Sequence, residues 1–245
     1  MTSLVFLFTD FGATGPYTGQ LEAAVLREAP DLRVVSLQSD APSGRPRPAG
    51  YLLAALLPAL PPGGGLVAVV DPGVGTARDA LAARLDDRWL VGPDNGLLAP
   101  AIRQANRTEV WRIAWRPAQL SSSFHGRDLF APVCARLVAG NSVPRDRVEP
   151  GQLVGADWPE ELAEVVYIDH FGNAMTGIRA GGVGADAHFS CGGRRLRFAR
   201  VFGAVAEGEA FWYANSCGLV EVAVNRGSAA GLLGLHIGSP VQRVR

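Results

Sequence analysis

Two hydrophobic periods alternate along the first 140 or so residues. Short, nearly unbroken apolar runs at 4–8, 34–37 and 66–70 read as buried strands. Between them, apolar positions recur every three or four residues. Over 17–28 these are Leu21, Ala24, Val25 and Leu26, with Pro30 just beyond, which predicts a helix. An Ala/Leu helix is predicted over 49–60, halted by Pro61-Pro62-Gly63-Gly64-Gly65. Strands near 80–85 and 89–91 follow, then the turn Pro93-Asp94-Asn95-Gly96, a helix over 98–105, a strand near 110–113 and a helix over 128–139. Alternating β and α patterns predict an α/β domain with a largely parallel sheet and helices on its faces.

Beyond Gly140 the pattern changes. A stretch rich in Pro, Gly and charge runs from Asn141 to Gly155. After it come short alternating segments at 163–168, 186–191, 194–198, 210–214 and 219–224. Gly192-Gly193 separates two of them and signals a two-residue hairpin. The C-terminal third therefore predicts a small antiparallel β domain. The expected division is a first domain over 1–145, a linker over about 146–155 and a second domain over 156–245.

Composition narrows the classes. A length of 245 residues allows a sizeable core. The formal charge is zero, so nothing pulls the chain toward nucleic acid or a membrane surface. The opening apolar run follows no basic segment and is too short for a signal peptide, so a cytoplasmic location is expected. Cys134, Cys191 and Cys217 are scattered and form no CxxC, which supports neither a disulfide framework nor a zinc site. All 23 basic residues are arginine. The absence of lysine excludes a Schiff-base lysine and a P-loop lysine.

Several polar segments stand where strands end. Thr9-Asp10-Phe11-Gly12 closes the first strand, and Asp10 there suits either a ribose diol or the cap of the next helix. Asp71-Pro72-Gly73-Val74-Gly75-Thr76-Ala77-Arg78 follows the third strand, where Asp71 and Arg78 meet if the loop folds back. His125, in Phe124-His125-Gly126-Arg127-Asp128, lies at a loop-to-helix junction rather than in an apolar pattern. Asp128 suits the positive end of that helix and reads as structural, as does the turn at Asp94. Asp169-His170-Phe171-Gly172-Asn173 follows a strand, and Asn173 has an amide able to pair with a base edge or simply to close a turn. Asn215-Ser216-Cys217-Gly218 is a second polar knot between β segments.

Taken in order, these segments resemble the S-adenosylmethionine hydrolase (SAM hydroxide adenosyltransferase) family, which is related to fluorinating and chlorinating enzymes. The resemblance runs nearly end to end. It implies an N-terminal α/β domain, a C-terminal barrel-like β domain, and a homotrimer with active sites at subunit interfaces. It implies hydrolysis of S-adenosyl-L-methionine to adenosine and L-methionine, with no cofactor and no metal. By similarity Asp71, Arg78 and His125 form a hydrolytic triad, and Asp10 holds the ribose hydroxyls. Asp169 and Ser216, beside Asn215, hold the methionine amino and carboxylate groups, and Asn173 holds the adenine. One departure is Gln38-Ser39-Asp40, where the family often has Asp-x-Thr-His. The loop Pro42-Ser43-Gly44-Arg45-Pro46-Arg47-Pro48 is also unusual.

The chemistry suits the residues. The leaving group is a neutral thioether and needs no general acid, so the demand falls on the nucleophile. His125 as base, Arg78 as holder of hydroxide-like charge and Asp71 as orienter would meet it. Three polar groups placed for water also argue against a halide nucleophile. Two other readings stay open: a non-catalytic S-adenosylmethionine or nucleoside sensor, and a metal-dependent phosphoesterase using Asp10, Asp71, Asp94, His125 and Asp128.

Overall fold

The computed structural model describes residues 3–244. It divides into two compact units. The first runs through Trp158 except for Ala55–Ala59, and the second begins at Pro159.

The first unit is built on a seven-stranded sheet of order β2-β1-β3-β5-β4-β6-β7. Its strands are β1 (Leu4–Thr9), β2 (Arg33–Gln38), β3 (Gly65–Val69), β4 (Ala80–Leu85), β5 (Arg88–Pro93), β6 (Thr108–Ile113) and β7 (Arg145–Val148). β2, β1, β3 and β5 pair in parallel, whereas the β5–β4, β4–β6 and β6–β7 pairs are antiparallel. Five of the seven strands (β1, β2, β3, β5 and β6) therefore point the same way, and the sheet is mixed but mostly parallel.

Helix α1 (Tyr17–Glu28) buries Leu21, Ala24 and Val25, the face that its periodicity predicts. It packs on α4 (Ala131–Val138), and with Val5, Leu7, Val67 and Val69 the two helices form one hydrophobic core cluster. Helix α2 (Pro46–Leu56) starts earlier than its Ala/Leu pattern predicts. Proline is tolerated in a first helical turn, where an N–H would find no partner anyway, so Pro46 and Pro48 open the helix rather than delay it. α3 is Ala99–Gln104.

The stretch that composition marks as a linker over 146–155 is built into this unit. Arg145–Val148 pairs with β6 as an edge strand, and its charged residues suit an exposed edge. The Val154 N–H donates to Asp94 at 3.0 Å, and Trp158 packs against Gly96.

The second unit holds a four-stranded antiparallel sheet of order β12-β13-β9-β8 and a three-stranded sheet of order β11-β10-β14. The strands are β8 (Leu162–Ile168), β9 (Ala174–Arg179), β10 (His188–Cys191), β11 (Arg194–Leu196), β12 (Ala210–Ala214), β13 (Leu219–Val224) and β14 (Val241–Val244). The predicted hairpin at Gly192-Gly193 joins β10 to β11. Trp212, Phe189 and Val222 centre the core. β9, β14 and the short helix α5 (Ala229–Leu233) lack a sequence signal. Within β9, Gly177 breaks the β-branched pattern for a packing reason: a Cβ there would meet Leu162 at 2.6 Å. No helix among the described residues is long and apolar enough to cross a membrane.

Candidate active site

Asp71 lies two residues beyond Val69, the last residue of β3, where the Gly-rich loop turns back on itself. Val74 N–H bonds to Asp71 O, and the Thr76 hydroxyl donates to Gly73 O at 2.7 Å. This return carries Arg78 onto Asp71. Gly75, at φ +79°, lies so close to Ser122 that a Cβ would meet its carbonyl oxygen at 2.3 Å. The 71–78 loop is thereby pressed against the segment that leads into His125. His125 itself precedes a widened π-type turn, Gly126–Phe130, at the entrance to α4.

The three residues singled out as a triad are brought together. Arg78 Nε lies 3.0 Å from both Asp71 carboxylate oxygens, and its Nη2 donates to Asp71 Oδ2 as well. The same Nη2 lies 3.0 Å from His125 Nδ1, while Nη1 donates to Asp79 O at 3.3 Å. The Arg78 guanidinium also stacks 5.1 Å from the Phe130 ring centroid. The Asp71 side chain is only 4% exposed.

Arginine can only donate, so Nδ1 of His125 accepts and the ring proton sits on Nε2. Burial and the neighbouring Arg78 charge hold the His125 pKa below its usual value. His125 is therefore a neutral ring at pH 7, with a donor at Nε2.

A cavity of about 210 Å³ is lined by Asp10, Phe11, Ser43, Gly44, Asp71 and His125, among others. Asp10 accepts the Gly44 N–H at 2.8 Å, which ties the unusual 42–48 loop to the site. Burial is the main reason that the Asp10 pKa is raised; the nearby Asp71 charge adds to it. Phe11, Tyr17 and Phe124 stack edge-on at 5.5–6.0 Å between centroids. This aromatic trio escapes sequence reasoning because its members belong to separate segments.

Asp94 and Asp128 serve loops. Asp128 accepts from Arg127 Nε at 2.6 Å and from Ser121 N–H at 2.9 Å, and the arginine bond lowers its pKa. With Arg127 it borders a shallow groove of about 910 Å³ that holds none of the triad. Among the described residues, no group of three or more His, Cys, Asp or Glu is placed to hold a metal. The five residues of the phosphoesterase reading are thus not gathered into a metal centre.

In the second unit, Asp169 closes the 169–173 turn. Its Oδ1 accepts the Phe171 and Asn173 N–H groups at 2.9 and 2.8 Å, and its Oδ2 accepts Asn173 Nδ2 at 2.9 Å. Phe171, between Asp169 and Asn173, is 74% exposed. The Asn215 amide builds its own turn. Oδ1 accepts the N–H groups of Cys217 and Leu219, and Nδ2 donates to Glu221 at 2.7 Å. Ser216 stands exposed on that turn. Glu221 was not singled out from the sequence; a lone carboxylate in the apolar run Leu219–Val224 was the available signal.

Comparisons with known proteins cover both units. Residues 5–145 match the family model described as SAM hydroxide adenosyltransferase N-terminal domain, and residues 163–242 match the corresponding C-terminal domain. A Thermus thermophilus protein named (R)-S-adenosyl-L-methionine hydrolase is 42% identical, over 97% of this chain and 98% of its own length. A Salinispora tropica protein of the same name is 39% identical over 100% of this chain and 97% of its own. A crystal structure of an uncharacterized conserved protein from Thermotoga maritima superposes with a TM-score of 0.87 at 30% identity, covering 99% of this chain and 100% of that one.

Proposed function

The chain belongs to the SAM hydroxide adenosyltransferase family, and we propose that it hydrolyses S-adenosyl-L-methionine to adenosine and L-methionine. The observation that carries this reading is the Arg78 guanidinium joining Asp71 to His125, two residues that line one cavity together with Asp10.

Water attacks ribose C5′ opposite the sulfonium. A C5′–O bond forms, the C5′–S electron pair leaves on the methionine thioether, and one proton is released to solvent. The leaving group needs no acid, so the site has only to hold water and stabilise hydroxide-like charge. The assigned tautomer directs the His125 Nε2 proton away from Arg78 and makes it a donor to that oxygen. With Nδ1 occupied by Arg78, the trio acts as a water-holding unit rather than through His125 as a free base. Asp71 is committed to Arg78 by two Nε contacts and an Nη2 bond, so its part is to aim the guanidinium. Asp10 binds the ribose diol, Asn173 the adenine edge, and Asp169 and Ser216 the amino-acid end.

A 210 Å³ cavity is small for a whole ligand of this size. We further propose a homotrimer whose active sites are completed at subunit interfaces; the small cavity supports only that a further surface completes the site. The protein works in the cytoplasm without cofactor or metal. The relatives' names specify the (R) sulfonium, and we take that diastereomer as the preferred substrate.

The test is incubation of pure protein with separated (R)- and (S)-S-adenosyl-L-methionine, with chromatography of products beside His125→Ala and Asp71→Asn. Equal amounts of adenosine and methionine from the wild type, lost in both variants, are expected. Tight binding without turnover, unaffected by His125→Ala, would establish the sensor instead. With chloride or fluoride added, adenosine remains the main product; faster formation of a halogenated nucleoside refutes the water-holding role.

A further inference from the structure

That mechanism leaves one buried charge unemployed. Glu221 is 2% exposed in the middle of β13, where every other residue is apolar. A carboxylate there must be hydrogen-bonded to be tolerated at all. Its Oε1 accepts the Tyr213 hydroxyl at 2.5 Å and its Oε2 accepts Asn215 Nδ2 at 2.7 Å. The rest of the Asn215 amide faces the other way, with Oδ1 taking the Cys217 and Leu219 N–H groups at 2.9 Å each. Reversing that amide would aim N–H at N–H, so Asn215 is locked in one orientation. Ser216 is carried on the turn so fixed.

Register sets Tyr213, Glu221, Met175 and Tyr167 in one row across the four-stranded sheet. Asp169 lies two residues beyond Tyr167, and its charge acts on both Glu221 and Tyr213.

We propose that Glu221 is a positioning residue for the amino-acid end of the substrate. Its carboxylate holds Asn215, and through it the Ser216 turn, while clamping Tyr213 in the same acidic neighbourhood as Asp169. The proposal rests on the hydrolase reading above.

A purely structural role fits poorly. Burial first, and then the Asp169 charge, raise the Glu221 pKa, outweighing the bonds from Tyr213 and Asn215. A carboxyl with a raised folded-state pKa favours folding in its protonated form; as pH climbs through that pKa, the contribution is lost. Ionised Glu221 is therefore a burden on the fold that a neutral side chain would not impose.

Glu221→Met and Glu221→Gln together separate the two roles. Gln keeps an acceptor for Asn215 Nδ2, and Tyr213 can turn its hydroxyl to accept from the new amide, so KM and melting temperature are expected to hold. Met removes the acceptor and frees the Asn215 amide, so the KM for S-adenosyl-L-methionine should rise by about tenfold with kcat little changed, the pattern of lost binding common to ground and transition states. As product inhibitors of the Glu221→Met variant, L-methionine should weaken in parallel and adenosine should not. Tyr213→Phe, which leaves Asn215 held, should give a smaller change of the same kind. If the single Glu221→Met variant does not fold, the double variant with Tyr213→Phe, which leaves no unpaired hydroxyl, is measured in its place. For Glu221→Met, a lowered melting temperature with both inhibitors equally weakened, or no change in any constant, overturns the assignment. Wild-type protein that releases no adenosine refutes the hydrolase reading and this one with it, whereas wild-type turnover with unaltered variants refutes only the role of Glu221.

Discussion

Carboxylates in the two units are hydrogen-bonded by different means. In the first, Asp71 is met by the Arg78 guanidinium, itself shared with His125. In the second, Asp169 and Glu221 are met by backbone amides, an asparagine and a tyrosine, all neutral donors. Both sets are hydrogen-bonded, yet only the first is balanced in charge from within. A balanced, rigid trio is suited to hold a small neutral molecule and the charge that develops on it during reaction. A neighbourhood with two carboxylates and neutral donors gains most from a cationic group, and the α-ammonium of the proposed substrate supplies one. The contrast teaches that satisfying hydrogen bonds and satisfying charge are separate tasks.

The largest effect is expected from breaking the balanced side. Arg78→Met strands Asp71 as a buried, unpaired carboxylate, with a stability cost of about 3–5 kcal/mol. Turnover should fall by ~10²–10³, the range for loss of one preorganised donor. Chemical denaturation and single-turnover assays read the two effects, and a variant that keeps full activity removes Arg78 from the mechanism. On the unbalanced side, Asp169→Asn should chiefly raise KM, by roughly tenfold to a hundredfold, about 1.4–2.8 kcal/mol. A fall in kcat at constant KM would instead make Asp169 part of the reacting centre.

A smaller effect separates the two regions by pH. The lowered His125 pKa means that its folded form prefers to be neutral. Its stabilising contribution is present above the ordinary value of 6.5 and is lost as pH falls through the depressed folded value. Activity should follow, because protonation would put Nδ1–H against the Arg78 N–H. A pH–rate profile is expected to be level above neutrality with its acid limb below that ordinary value; a limb above it contradicts the neutral tautomer. The smallest expected response is to chelators, where activity after exhaustive dialysis against EDTA should be unchanged. Loss that manganese restores would reopen the phosphoesterase reading.

Much of the fold was legible because its signals are local. The helix over 17–28, the strands at 66–70 and 219–224, and the Gly192-Gly193 hairpin each follow from apolar spacing or turn chemistry within a few residues. β7 was hidden by a charged edge and β9 by Gly177, whose fitness lies in the closeness of Leu162. The start of α2 was hidden by prolines that suit a first turn but read as loop.

For the site, the sequence by itself determined the inventory: an Asp and an Arg seven residues apart in a Gly-rich loop, a histidine at a helix entrance, and two polar knots between β segments. Those choices are local, since strand ends and turns demand particular residues wherever the chain goes next. Tertiary structure alone decided which of them meet. Arg78 and His125 are 47 residues apart in sequence and bonded in space, because Gly75 lets one loop close on another. The Asn215 amide donates to a carboxylate six positions further along. Partner choice is a long-range property: it depends on packing and on the cost of leaving a buried polar group unpaired, and neither is written in local spacing.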